Sequence, residues 1–187
     1  GRIPYQGSLV LRGEAVIPYS EFEKINAQIE DADAKYKNPR NLCSGSVRQL
    51  NNEITAKRSV YFYAFSYVKA ELDGAEPPFE NDRENQFRFL KEQGFDVVSY
   101  KRVNADTILA EIEWYAQAIQ TYDIPSDGLV LCYCDLAYSA SLGLTAKFPR
   151  DSIAFKWADE TAETTLLEIE WSPSRTGLIN PVAIFEP

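Results

Sequence analysis

The sequence contains no histidine, no methionine and only three cysteines in 187 residues. The missing histidine excludes every catalytic arrangement built on imidazole and every zinc site that needs one. Three cysteines are too few, and odd in number, for a disulfide scaffold, which favours a reducing compartment. No initiator methionine opens the chain, so it is expected to be a segment of a longer protein. No apolar run approaches the roughly 18 residues of a membrane span, no signal peptide is present, and no low-complexity linker or internal repeat interrupts the chain. Two of the cysteines, Cys132 and Cys134, stand one residue apart in SDGLVLCYCD. With no histidine and no second cysteine pair, that spacing is poorly supplied as a metal or redox site.

What is present suits one domain, or one domain with part of a second: 45% hydrophobic and 13% aromatic residues are ample for a packed core. The net charge of −9 argues against a general nucleic-acid binder. Its placement is uneven, because Lys35, Lys37, Arg40, Arg48, Lys57 and Arg58 face a single acid, Glu53, within one stretch. A basic patch on an acidic body suggests that phosphates are met on one face only, against the alternative of a solvated loop with incidental charge.

Hydrophobic patterning predicts a strand over Leu9–Ile17. A helix then follows, N-capped by Ser20 with Glu23 completing a capping box and Phe22, Ile25 and Ile29 on its buried face. Asn38-Pro39-Arg40-Asn41 reads as a turn and Ser44–Leu50 as a short helix. Ser59–Ala70 reads as a long aromatic strand near the centre of a sheet, and Asp73–Pro78 as a loop. A helix over Asn81–Gln93 is stopped by Gly94, followed by a short strand over Phe95–Tyr100. A second long helix is expected over Ala105–Gln120, with Ile108, Leu109, Ile112 and Tyr115 inward. Gly128–Cys134, Ile153–Trp157 and Leu166–Trp171 complete the strands. Strands and helices mix without a βαβ rhythm, so the fold class is α+β with mainly antiparallel sheets and flanking helices.

Four segments carry features that a plain core does not need. Arg12-Gly13-Glu14 places charges and a glycine inside a hydrophobic strand, where the glycine permits close backbone approach. NPRNLCSGSVRQL sets two arginines eight residues apart. Its Ser44-Gly45-Ser46, read as a helix start, offers N–H groups to an anion, and arginine forks match phosphate oxygens. The competing reading is a capped surface helix. The third segment is SDGLVLCYC, and in the fourth, FPRDSIAFKW, Lys156 ends an apolar strand.

These segments together resemble the bacterial NAD-dependent DNA ligases. NPRNLCSGSVRQL is similar to the family's N-P-R-N-x-x-x-G-S-[LV]-R-Q-L signature, and LVLRGEAVI to its third nucleotidyltransferase motif, V-R-G-E. SDGLVLC is similar to the fourth, D-G-[VL]-V-[IL]-K, and AKFPRDSIAFKW to the fifth, ending A-[FY]-K. SRTGLINPVA resembles the stretch that opens the OB-fold domain. The resemblance implies a DNA ligase/nucleotidyltransferase-type fold, with residues 1–158 from the adenylation domain and 159–187 opening the OB fold. It implies NAD as cofactor, magnesium or manganese, and zinc in a further C-terminal region. It also implies nicked duplex DNA as partner, no membrane, a monomer, and a cytoplasmic, nucleoid-associated location in a bacterium.

Carried over by position, the resemblance has Glu14 holding the AMP ribose or the metal–nucleotide geometry and Lys156 on the α-phosphate. Asp127 belongs to the turn beside the nucleotide, and Phe65 lies against adenine, with a core aromatic as the alternative. Arg40 and Arg48 face nick phosphates. Cys132 stands where the fourth motif has a lysine, and a neutral thiol does not supply that charge. The family's nucleophilic lysine, in K-x-D-G, is expected upstream. Of the two Asp-Gly pairs here, Asp73-Gly74 and Asp127-Gly128, neither has a lysine two residues before it, because Glu71 and Pro125 stand there. The stretch alone is therefore expected to be inactive. Two alternatives remain: an ATP-dependent ligase or capping-type relative, and a module that kept the fold and lost catalysis.

Overall fold

The computed structural model describes residues 4–31, 34–71, 74–157 and 161–186. It divides into two compact units, Gly1–Lys156 and Trp157–Pro187. The boundary expected at residues 158 and 159 lies outside the described residues, as does Asp73 of the expected loop.

In the first unit, β1 (Ser8–Val16) runs antiparallel to β2 (Tyr61–Glu71), and β2 pairs in parallel with the two-residue β3 (Asp96–Val97). The aromatic β2 is thus central, as its composition suggests. Only Asp96 and Val97 of the expected Phe95–Tyr100 strand pair with it. The β1–β2 register shifts twice, leaving Phe65 and Val68 of β2 without a partner opposite them. Such bulges re-aim side chains, and Phe65 emerges exposed, as do Arg12 and Glu14 of β1. Gly13 is required by this pairing, since a Cβ there would sit 2.3 Å from Phe62 Cζ and 2.5 Å from the Tyr63 carbonyl oxygen.

Helix α1 (Tyr19–Ala27) begins with Pro18 at the N-cap and has no side-chain cap of its own, which corrects the capping box expected at Ser20. Its first turn is satisfied by Asp123: Tyr19 N donates to the Asp123 carbonyl at 2.8 Å, and Ser20 N and Oγ donate to its carboxylate at 2.8 and 2.7 Å. Helix α2 (Pro39–Val47) starts five residues earlier than expected. Asn38 caps it, its Oδ1 accepting from Asn41 N at 2.8 Å, and Pro39 occupies the first turn where no N–H donor is needed. NPRN is therefore the helix start, and Ser44-Gly45-Ser46 lies mid-helix, where its N–H groups serve the helix rather than an anion. The short α3 (Asn52–Ala56) follows. Ile17, Leu42 and Cys43 form a core, packed by Ala15, Phe22, Ile25, Tyr36 and Val60.

Helix α4 (Arg83–Glu92) buries Phe87 and Leu90 and stops at Gly94, whose φ of 84° is left-handed. Helix α5 (Ile108–Ala118) leads into a 3-10 turn, Ile119–Thr121, and Leu109, expected inward, is largely exposed. Strand β4 (Leu129–Cys132) pairs antiparallel with β5 (Ser152–Phe155), with α6 (Leu136–Leu142) between them in sequence. The second unit contains an antiparallel ribbon of β6 (Leu166–Pro173) and β7 (Ile179–Phe185). Antiparallel pairings and flanking helices make the fold α+β, as expected.

Candidate nucleotide and phosphate site

Helix α2 is two-faced. Pro39, Leu42, Cys43 and Ser46 are buried, while Arg40, Asn41, Ser44 and Arg48 are exposed along the opposite stripe. The eight-residue spacing sets Arg40 and Arg48 about 12 Å apart along the axis. Arg48, at the C-cap, complements the helix dipole, whereas Arg40 in the first turn opposes it and so adds nothing to helix stability there. Of the expected basic patch, Arg58 is a buttress instead. It donates to Ser46 Oγ at 3.1 Å and lies 5.5 Å from the centre of the Tyr36 ring. Lys35, Lys37 and Lys57 are exposed.

The buried face of α2 is pinned to β1 beside Glu14. The Cys43 thiol donates to the Ala15 carbonyl at 3.1 Å. Burial pushes that thiol's pKa up, and the nearby Glu14 carboxylate pushes it further. Glu14 is therefore close to the helix that carries the arginines, with its own carboxylate exposed.

Asp127 and Lys156 meet across the open end of the β4–β5 ribbon, Nζ to Oδ2 at 2.7 Å, with 77% and 65% of their side-chain surfaces exposed. Gly128 makes this approach possible, because a Cβ there would lie 2.5 Å from the Phe155 carbonyl oxygen and 3.2 Å from Lys156 Cγ. The Lys156 bond, the lysine's charge and, more weakly, the charge of Arg40 hold the Asp127 carboxyl below its ordinary pKa, against partial burial. Asp127 and Lys156 therefore form an ion pair at the ribbon end that also feels the charge of Arg40.

Cys132 is not part of it. It pairs with Ser152 at the far end of the ribbon, three residues, or about 10 Å, along β4 from the Leu129–Phe155 pair beside Asp127 and Lys156. There it lines a cavity of about 600 Å³ with Arg102, Asn104, Cys134, Arg150 and Ser152. Burial raises the Cys132 pKa against the pull of Arg83, which keeps the thiol neutral. Arg102 and Arg150 place positive charge in the wall of the same cavity. Arg102 is engaged with Asp82 at 2.6 Å. All three cysteines are free thiols, and Cys134 lies beyond the end of β4. Among the described residues, no group of three or more His, Cys, Asp or Glu side chains could hold a metal ion.

Arg83 and Asp123 are structurally prominent but carry no local sequence signal, since their partners lie 68 and 103 positions away. The helix start at Asn38-Pro39, by contrast, carries a local signal, a capping asparagine followed by a proline, but the same residues read equally well as the turn expected there.

This α+β framework is that of a nucleotidyltransferase adenylation domain. Residues 2–160 match the family model of the NAD-dependent DNA ligase adenylation domain, and the chain belongs to that family. It is 63% identical over 185 residues to a DNA ligase of Ruminiclostridium cellulolyticum, an alignment covering 99% of this chain and 28% of that one. It is 63% identical over 186 residues to a DNA ligase of Lachnoclostridium phytofermentans, with the same coverages of 99% and 28%. A DNA ligase of Carboxydothermus hydrogenoformans is 38% identical over 182 residues, covering 96% of this chain and 27% of the relative. The chain thus spans between a quarter and a third of the length of these relatives.

Proposed function

We propose that this chain supplies nucleotide- and nick-contacting parts of an NAD-dependent DNA ligase that seals single-strand breaks in duplex DNA. The observation that carries this reading is the Asp127–Lys156 pair held across the end of the β4–β5 ribbon. A lysine outside this stretch attacks the α-phosphate of NAD, the phosphoanhydride bond breaks, nicotinamide mononucleotide leaves, and AMP remains on the lysine nitrogen. AMP then passes to the 5′-phosphate of a nick, and the 3′-hydroxyl displaces it to close the strand.

In this reading Lys156 presents its ammonium to the α-phosphate as charge develops in the transition state. Asp127 holds the ammonium at the ribbon end until the phosphate arrives, and its depressed pKa keeps it an acceptor. Glu14 accepts from the ribose hydroxyls, and Phe65 offers its exposed ring to adenine. Arg40 and Arg48 meet backbone phosphates at two points about 12 Å apart along the helix. A magnesium or manganese ion acting here would be carried largely by phosphates and water, as magnesium commonly is; no step above is routed through it.

The protein works as a cytoplasmic monomer at the nucleoid. No helix among the described residues is long and apolar enough to cross a membrane.

The test is covalent labelling of a full-length ligase containing this segment, with NAD or ATP labelled in the adenylate phosphate. Label from NAD, with release of nicotinamide mononucleotide, is expected. Label from ATP alone would sink the reading in favour of an ATP-dependent relative, and label from neither would favour an inactive module. The 187-residue chain alone, without K-x-D-G, is expected to take no label.

A further inference from the structure

The β4–β5 ribbon carries Asp127 before its first strand and Lys156 after its second, yet its own contacts specify its register weakly. It has four paired positions, Leu129 with Phe155 through Cys132 with Ser152. Two strands alone are marginal in water. Hydrophobic burial does not choose between registers either, because Val130 and Ile153, on opposite faces, are 70% and 65% exposed. The Asp127–Lys156 pair at the open end is solvated and screened. A slip of one residue would move Lys156 by about 3.3 Å and turn its side chain to the other face.

The opposite end is held differently. Arg83, the first residue of α4, bonds Asp151 Oδ2, donates through Nε to the Tyr133 carbonyl at 2.9 Å, and reaches Ser139 Oγ at 3.3 Å. Only 19% of the Arg83 and 13% of the Asp151 side chain is exposed. Arg83 N also donates to the Cys134 carbonyl at 2.9 Å. One side chain therefore grips the residue after β4, the residue before β5, and α6. The segment leading to it is held in a sparsely populated conformation, with Glu80 and Asn81 at φ 50° and 58°. That geometry turns Asn81 toward α6, where its backbone carbonyl and Oδ1 accept from Leu136 N at 3.2 Å and Ala137 N at 2.6 Å. Through α4, which packs on β2, the ribbon end is tied to the sheet bearing Glu14 and Phe65.

We propose that Arg83, acting through Asp151, is a positioning residue that fixes the β4–β5 register and so sets where Lys156 stands. Its consequence for catalysis rests on the assignment of Lys156 above, whereas its geometric content does not.

The test follows the carboxyl resonance of Asp127 through a pH titration in the chain, with aspartate labelled by carbon-13. In the native chain Asp127 titrates below the ordinary aspartate value because Lys156 is in place. Arg83→Gln and Asp151→Asn are each expected to move its midpoint up, toward that of Lys156→Ala, while the β1–β2 and α4 amide resonances persist. Arg83→Lys, which keeps a cation but loses the fork, is expected to fall between. A native midpoint in both folded variants would overturn the proposal.

Should either variant unfold globally, Ser139→Ala and Asp151→Glu perturb the same clamp more gently. Selectively faster amide exchange at Leu131 and Ile153, with Leu90 unchanged, is then the supporting result. Uniform acceleration overturns it. In full-length ligase, Arg83→Gln should slow lysine–AMP formation by at least about tenfold, with the KM for NAD little changed. If Lys156→Ala itself leaves that step intact, the catalytic reading fails while the titration result stands.

Discussion

Replacing Lys156 by alanine separates a structural lysine from a working one, because the two readings predict effects of very different size. The ion pair with Asp127 is 2.7 Å long, but both side chains are mostly in solvent. Exposed pairs of this kind contribute about 0.2–1 kcal/mol. For a protein of this size, each kcal/mol moves the melting temperature by roughly 2–4 °C, so the variant should melt no more than a few degrees early. A preorganised charge aimed at a developing negative oxygen is worth far more to a reaction, typically about 100- to 1000-fold in rate. Lysine–AMP formation in full-length ligase, followed by labelled NAD, should therefore collapse while the fold stays. Lys156→Arg keeps the charge in a differently shaped head and should recover part of the rate. Adenylation within about twofold of wild type in Lys156→Ala would refute the reasoning. So would a melting temperature lowered by tens of degrees, which would make Lys156 a structural residue.

Gly13→Ala places a methyl against Phe62 and the Tyr63 carbonyl, and should destabilise by about 1–3 kcal/mol in urea unfolding; an unchanged midpoint would contradict the close approach of β1 and β2. Arg40→Ala and Arg48→Ala should each lower the slope of log affinity for nicked DNA against log salt by about one unit, with lysine adenylation retained, and an unaltered slope would remove that arginine from the phosphate contacts. Asp82, Asp123 and Asp127 all have carboxyl pKa values held below the ordinary 3.8, by the Glu84 backbone N–H, the Ser20 hydroxyl and the Lys156 ammonium respectively. Between their folded and unfolded values the unfolded chain binds more protons, so their contribution is complete above about pH 5 and lost as pH falls through the folded values. Stability measured by denaturant at stepped pH should decline below pH 4, and the triple Asp→Asn variant should flatten that decline.

The central strand was legible in the sequence because its composition is strong: eight of the eleven residues of β2 are aromatic, β-branched or alanine, whereas β7 (Ile179–Phe185), interrupted by Asn180-Pro181, was not read as a strand. The start of α2 was misread because Asn-Pro is common to turns and to helix caps, and the choice depends on what the next turn packs against. Leu42 and Cys43 settle it, since they reach the Ile17 core only if the helix begins at Pro39. The α1 cap was misplaced for the opposite reason. Ser20 has the right chemistry locally, but its own N–H and hydroxyl donate to a carboxylate that Asp123 delivers from a distant loop. At the site, single residues could be nominated from motifs, yet their grouping could not. Nothing in the spacing of Asp127 and Lys156 shows that they pair, or that Cys132 stands at the opposite end of the ribbon that joins them.

The Asp123 cap also bears on how the chain is made. Helix α1 follows directly on β1, but the carboxylate that completes its first turn is 103 residues downstream. At translation rates of about 5–20 residues per second, it emerges roughly 5–20 s after the helix does. During that interval the nascent helix has an open amino end and an incomplete core, since Leu42, Cys43 and Val60, which complete the cluster around Ile17, also arrive later. A ribosome-bound chain halted before residue 123 should expose α1 to protease, and one halted well beyond it should not.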